Sequence, residues 1–505
     1  MKAAATPDSS PCADETAGAE LVVASRAILW KIDLRLMPLL GATYLLQFLD
    51  KISLGYSALL NLRADLGLKG SEYSWATAIF YFGYFLWTFP TSWLIIRFPL
   101  GKYLASVVVI WGVVLACHAA CTGFAGLMVT RFILGMLEAS IAPGFSYITG
   151  MFYKRDEQPL RHGIWYLGNS AAGLFGGVLA WGIGHIHGAL WPWQYLFIIF
   201  GCITTAWGLV LLFFLPDAPG TAPFLTPDER LLAVERTSET RQKVDGKEFK
   251  MYQVWEALRD PQAWLLCVNM LGCMLVNSGF SAVCSTLLAL LSPPSKTLSE
   301  LEPFPLRFSS IIIAGFGYSG LQALLYQMPG AAVQIGLVII TSLCGSYVRN
   351  SRTIMLAALS LISIVGVVLV YVLDDTQRDA KLFGASLMGA YACILPISMS
   401  VVSTNIVGNT KKTVVGAMLF VAYCVGNIVS PQVFLTAEEP RYPTGIKVCL
   451  AGLALGFVSA ILLRFYLQYC NGRNEQEGGA SPSDDPHGND EDRTDWELKS
   501  FTYML

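Results

Sequence analysis

The sequence predicts an all-α membrane protein of twelve transmembrane helices, arranged as two six-helix halves. Three observations carry this. The 505 residues are 54% hydrophobic and only 14% charged, whereas soluble domains are about a quarter charged. Apolar runs long enough to span a bilayer, which takes about 20 residues, recur along the chain. One long polar connection, 216–260, divides them six and six.

Residues 1–25 are rich in Ala, Ser, Asp and Glu and are expected to be a disordered tail. The N-terminal bundle, 26–215, opens with the charged collar Trp30-Lys-Ile-Asp-Leu-Arg35. Its spans are expected at about 36–58, 74–96, 102–121, 124–151, 162–186 and 194–215. Span six stops at Pro216-Asp217. In the central loop, Thr226-Pro-Asp-Glu229 is a capping box that starts a charged helix. Met251 to Arg259 reads as an amphipathic helix lying on the membrane surface. The C-terminal bundle, 261–470, has spans expected at about 262–286, 318–345, 353–373, 382–407, 413–435 and 445–469. The tail 471–505, rich in Gly, Asp, Glu, Ser and Pro, is expected to be disordered.

Lys and Arg collect at one end of this layout, in the collar, at Arg97 and Lys102, at Lys154, Arg155 and Arg161, in the central loop, at Arg349 and Arg352, and at Lys411 and Lys412. The positive-inside rule makes that end, with both termini, cytoplasmic. The bland role of these loop charges is topology; state-dependent bridges during rocking are the alternative. A weak echo relates the halves: Lys154-Arg155 precedes Gly168-Asn169 in span five, and Lys411-Lys412 precedes Gly426-Asn427 in span eleven. Two parallel six-span repeats are the layout of the major facilitator superfamily.

No phosphate loop, zinc motif or nucleophile elbow is present, so an enzyme is not expected. No cofactor, metal or nucleic-acid partner is indicated, and no obligate protein partner is expected. Most of the twelve Cys lie inside apolar runs, as small packing residues.

Four charges stand inside spans. Asp50 and Lys51 interrupt span one, and Arg131 and Glu138 lie in span four. Each ionised group near a bilayer centre costs roughly 2.5–3.5 kcal/mol on insertion scales, so it must be paired, hydrated or used. Asp50 and Lys51 point about 100° apart, so they do not pair face to face and each is free to meet another group. Arg131 and Glu138 lie two turns apart on one face, with Gly135 between them leaving room for a ligand or a close helix. An internal Arg–Glu bridge is the structural alternative. Tyr81, Tyr84 and Trp87 share a face of span two that can line a cavity. Asn169, Asn277, Asn405 and Asn427 are polar groups of the kind that bond between helices.

The segments Trp30–Leu40, Tyr44–Tyr56, Phe80–Tyr84, Arg131–Ala139, Tyr423–Gln432 and Pro440–Gly445 together resemble the fungal allantoate permease family of anion:cation symporters. The resemblance spans roughly residues 26–470. It implies proton-coupled uptake of a small organic anion such as allantoate, ureidosuccinate, nicotinate or pantothenate. It implies proton coupling at Asp50 and Glu138, and substrate binding at Lys51 and Arg131. Tyr81, Tyr84 and Asn427 are added as candidate lining residues from their positions in spans two and eleven. Three departures stand out. The span-two loop reads Ser92-Trp-Leu-Ile-Ile-Arg97 and lacks an Asp, and its counterpart ending at Arg349 is shortened. Residues 282–307 form an insertion relative to the family, either a translated intron or a genuine external loop.

The resulting expectation is a plasma-membrane symporter. An exporter, a carrier of neutral solutes and a transport-inactive nutrient sensor are the alternatives.

Overall fold

In a computed structural model, the structure describes residues 11–69, 72–186, 188–238, 250–277, 328–348, 350–373, 377–433, 438, 443–477, 493–498 and 501–505. The insertion 282–307 and Arg349 lie outside the described residues.

The N-terminal half comprises α1 (Pro11–Leu59), a short α2 (Leu62–Asp65), α3 (Glu72–Arg97), α4 (Leu100–Cys117), α5 (Phe124–Glu138), α6 (Ile141–Phe152), α7 (Gln158–Gly184) and α8 (Pro192–Phe214). The connection carries α9 (Pro227–Ser238) and α10 (Met251–Arg259). The second half comprises α11 (Pro261–Met274), α12 (Met328–Tyr347), α13 (Arg352–Val372), α14 (Arg378–Met388), α15 (Ile394–Asn405), α16 (Asn409–Val429) and α17 (Pro443–Glu477). The fold is all-helical with twelve spans. Nine of them, among the described residues, reach membrane-spanning length and hydropathy. Spans two and five, α3 and α7, are 26 and 27 residues long. Polar groups such as Gln158, Arg161, His162 and Asn169 lower the hydropathy of α7.

The outer surface is apolar: Ile110, Phe175, Phe213, Val365, Val458 and Leu462 are exposed, while Gln47, Asp50, Glu138 and Ser398 are buried. This inverts the usual soluble pattern and suits a lipid solvent.

Inside each half the helices approach closely at glycines. A Cβ on Gly83 would lie 2.2 Å from the Phe132 carbonyl oxygen, and one on Gly135 would lie 2.0 Å from that of Phe80. The space at Gly135 therefore admits a helix, not a ligand. Gly168 meets Gly41 of α1 in the same way, at 2.3 Å. Its counterpart Gly426 presses on Met274 of α11. Spans five and eleven thus pack on spans one and seven, and the faint sequence echo becomes an equivalent contact in each half.

The halves meet where α7 packs on α12 and α3 packs on α16. Exchanging the halves interchanges these two seams. Spans four and ten are both broken. Pro143 has no N–H for the Ala139 carbonyl, and the helix breaks between α5 and α6, directly after Glu138. Pro396 likewise leaves the Ala392 carbonyl without its helical donor. The Tyr166 hydroxyl donates to that oxygen at 2.7 Å, across the α7 seam.

At the basic end, the capping box forms: Thr226 N donates to Glu229 Oε2 at 3.0 Å, and Glu229 N to Thr226 Oγ1 at 3.4 Å. α9 is tied to the first bundle by the ion pairs Lys31–Glu229 and Arg236–Glu157, beside Arg161–Asp33. In α10, Tyr252, Trp255 and Leu258 are exposed, as a surface-lying helix requires. Buried Gln253 faces inward, and its Oε1 accepts from the backbone N of Thr410 (3.0 Å) and Lys411 (3.1 Å), capping α16.

Described structure extends into both tails. α1 begins at Pro11, within the tail expected to be unstructured, because an Ala- and Glu-containing stretch extends the helix ahead of it. α17 continues to Glu477. Beyond it, Phe501, Tyr503 and Leu505 are buried, so apolar side chains anchor a segment whose composition reads as tail.

Candidate functional site

Asp50 and Lys51 sit side by side on α1 and enter different surroundings. Asp50 is fully buried within the first bundle, where the Thr204 hydroxyl of α8 donates to Oδ2 at 3.4 Å. Its Oδ1 has no hydrogen-bond partner. Lys51 points toward the seam between the halves. Its Nζ lies 3.6 Å from Glu138 Oε2 and within 5.5 Å of the ring centres of Phe80 and Tyr84. It lies 5.9 Å from Tyr423 of the opposite half. Three rings and one carboxylate thus surround one ammonium, an arrangement that attracts cations by ring quadrupole as well as charge.

Glu138 is wholly buried at the end of α5. Gln47 Nε2 donates to its backbone carbonyl at 3.3 Å. Neither carboxylate oxygen accepts a hydrogen bond, and the Lys51 contact is a loose ion pair. Arg131 turns the other way. It is 2% exposed and its guanidinium lies 5.9 Å from the Phe197 ring. Its Nε and Nη2 have no acceptor. His118 is buried beside it, stacked on Phe197 at 5.0 Å with Nδ1 3.0 Å from the Val114 carbonyl.

The structure therefore gathers Lys51, Glu138, Tyr81 and Tyr84 at one site, with Arg131 and Asp50 behind it in the first bundle, within electrostatic reach of Glu138. The two cations expected to bind the anion lie against different rings, Lys51 by Phe80 and Tyr84 and Arg131 by Phe197. The internal Arg131–Glu138 bridge is not formed; Glu138 pairs with Lys51. Asn427 is committed to protein: Asn277 Nδ2 donates to its Oδ1, and its Nδ2 donates to the Tyr423 carbonyl at 2.8 Å. The Tyr391 hydroxyl continues this network to Asn277 Oδ1 at 2.6 Å.

An aromatic layer closes the Lys51 site toward the basic end. Tyr84 lies 6.1 Å from both Phe420 and Tyr423, and Tyr81 lies 6.2 Å from Tyr423, between ring centres. Phe420 also lines a vestibule at that end. Ser146, Arg155, Ser403 and Lys412 are among its walls, contributed by both halves. Sequence reasoning missed Phe420 as a lining residue and left Tyr423 inside a family motif, because an aromatic residue in an apolar run carries no mark of which face it occupies. It also read Lys412 with Lys411 as a topology signal.

The sequence profile of the Major Facilitator Superfamily matches residues 40–431. The chain belongs to that superfamily. It is also similar to fungal transporters over nearly all its length. It is 33% identical over 459 residues to an uncharacterised transporter of Schizosaccharomyces pombe, covering 91% of this chain and 83% of that one. It is 31% identical over 507 residues to the allantoate permease of Saccharomyces cerevisiae, covering 95% of this chain and 86% of the permease. The resemblance to the allantoate permease family is thereby borne out. Among solved structures, the proton:xylose symporter XylE matches with a TM-score of 0.60 at 14% identity, covering 87% of this chain and 95% of XylE. The Escherichia coli fucose:proton symporter FucP matches at 0.59 and 14%, covering 85% and 99%. At that identity the likeness speaks for the fold alone. The chain is a multi-pass membrane transporter of this superfamily, and not an enzyme.

Proposed function

We propose that this transporter is a proton-coupled importer of a small organic anion, of the class that includes allantoate, with its basic end in the cytoplasm of a plasma-membrane protein. The single observation carrying this reading is the Lys51–Glu138 pair: an ammonium held in an aromatic box by one loose carboxylate that makes no other hydrogen bond. Such a carboxylate is free to exchange its charge for a proton. Once Glu138 is neutral, Lys51 loses its counter-ion, and a substrate carboxylate replaces it. Tyr81, Tyr84 and Tyr423 would then flank the substrate, and Phe420 would separate it from the vestibule. Asp50, with its unpartnered Oδ1, is the second proton acceptor of the cycle. Arg131 supports the two acids from inside the bundle, a role that replaces the direct anion contact implied by the family resemblance. Rocking of the two halves then opens the vestibule, where Arg155 and Lys412 offer a positive path for release.

The test is accumulation of labelled organic acids, allantoate first, against external pH in cells lacking their own permease. Uptake should rise as the medium is acidified. Glu138→Gln should abolish this pH-driven accumulation and retain exchange of substrate across the membrane. Unchanged accumulation in both Glu138→Gln and Asp50→Asn would end the proton assignment.

A further inference from the structure

Residues 493–498 and 501–505 fold back onto the basic end. Asp495 Oδ1 lies 2.8 Å from Lys411 Nζ and accepts from Val407 N at 3.3 Å, and the Tyr503 hydroxyl donates to Asp495 Oδ2 at 2.9 Å. Two asparagines then hold the segment's backbone. Asn405 Nδ2 donates to the Met504 carbonyl at 2.8 Å, and Met504 N donates to Asn405 Oδ1 at 2.9 Å. Asn471 makes the same reciprocal pair with Tyr503, at 2.9 and 2.8 Å. A side-chain amide that both gives to and takes from the backbone of one residue fixes its register as a neighbouring strand would. Asn474 Nδ2 donates to the Phe501 carbonyl at 2.9 Å.

All these anchors belong to the second half, but the segment also reaches the first. The Phe501 ring centre lies 4.3 Å from the Arg155 guanidinium, in the loop between α6 and α7. Arg352 of α13 closes the link. Its backbone N donates to the Leu505 carbonyl at 3.0 Å, and its Nη2 donates to the Arg155 carbonyl at 2.8 Å. Arg155 thus carries a ring on its side chain and a guanidinium on its backbone, both from the opposite half. It also lines the vestibule. Beside this tie, the halves are joined by Leu160 N to Ser346 Oγ at 2.9 Å and by Ser403 Oγ to Gln158 Oε1 at 2.6 Å.

We propose that residues 493–498 and 501–505 form an intramolecular latch that holds the basic ends of the two halves together and must release Arg155 before the vestibule opens widely. Rocking separates Arg155 from Arg352 and Asn405, because they belong to different bodies. The segment is anchored at many points on one body and at one aromatic contact on the other. That is the construction of a latch with a fixed root and a releasable tip. The inference needs only the two-body motion of the superfamily, and not the identity of the substrate.

The experiment is hydrogen–deuterium exchange of the full chain in lipid nanodiscs, compared with a deletion of residues 494–505 and with Phe501→Ala. In the deletion, amides of 158–163 and 342–348, on the seam between the halves, should exchange about fivefold faster or more, as expected when a local opening equilibrium shifts. Phe501→Ala leaves the Asp495 and asparagine anchors in place and should move the same amides in the same direction by less. A synthetic peptide of residues 493–505 added to the deletion should restore protection. Faster exchange confined to 405–411 and 471–474, with the seam unchanged in both variants, would show that the segment only covers the surface it lies on, and would overturn the latch.

Discussion

Lys411 and Lys51 are both lysines within the helical bundle, yet their surroundings are opposite in kind. Lys411 is fully buried with three carboxylates around it: Asp495 at 2.8 Å, Glu256 at 2.9 Å and Asp260 at 3.0 Å. Trp496 covers it at 4.7 Å. Lys51 has one carboxylate at 3.6 Å and keeps 18% of its side chain exposed. The carboxylates differ in the same sense. Glu138 makes no hydrogen bond through its side chain, whereas Asp260 Oδ1 accepts from Gln262 N at 2.9 Å and caps α11. Burial of a charge alone therefore does not identify a working residue. A saturated cluster gains nothing from changing partner, whereas an under-satisfied one can exchange a counter-ion for a proton and a ligand at small cost.

The same substitution placed in the two clusters tests this contrast most strongly. Lys411→Met leaves three carboxylates facing one another, and it should cost about 3–5 kcal/mol of stability. It should show as poor yield and a clearly lowered melting temperature of purified protein. If Lys411→Met folds and melts like the parent, the cluster does not stabilise the fold. Gly135→Ala comes next, since its methyl would fall 2.0 Å from the Phe80 carbonyl oxygen. Forcing α3 from α5 should cost about 1–3 kcal/mol, read by the same melting measurement. Lys51→Ala should reverse the pattern seen at Lys411, keeping the melting temperature near that of the parent. Its loss of uptake should be about 10- to 100-fold, the worth of one charged hydrogen bond to substrate. A Lys51→Ala protein that transports normally would remove Lys51 from the site.

The smallest effect is expected at Asp260. Burial pushes its carboxyl up from the ordinary range, against the pull of Lys411. The folded protein therefore holds that proton more tightly than the unfolded chain does. The stability this provides is present at low pH and is lost as pH rises through the raised value. Asp260→Asn keeps a capping oxygen and should change stability at neutral pH by about 1 kcal/mol or less. It should also flatten the fall of melting temperature with rising pH through the weakly acidic range. An unchanged pH profile would show that Asp260 does not titrate differently on folding.

Much of the architecture was legible in the sequence because lipid imposes a one-dimensional rule. Spans must be apolar, about 20 residues long and internally hydrogen-bonded. The twelve spans and the in-span charges Asp50, Lys51, Arg131 and Glu138 follow from that rule, and the capping box at Thr226 is legible from its own four residues. The role of the tail was hidden for a related reason. Phe501, Tyr503 and Leu505 lie beyond a polar, low-complexity stretch, and composition averages over the few apolar residues that do the anchoring.

What the sequence determined by itself is therefore the class of protein, its spans and the set of charges that had to be explained. Only the tertiary structure decided which charge meets which. Spacing along one helix fixes that Asp50 and Lys51 diverge, but not that Thr204 receives one while Glu138 and an aromatic box receive the other. It offered Arg131 as a partner for Glu138, and the tertiary fold gave Glu138 to Lys51 of α1 instead. It presented Lys411 and Lys412 as equivalent, and folding enclosed one among three acids while placing the other on a vestibule wall. The reason is physical. Burial cost is set by composition and can be read along the chain, whereas its compensation comes from residues brought together from distant helices.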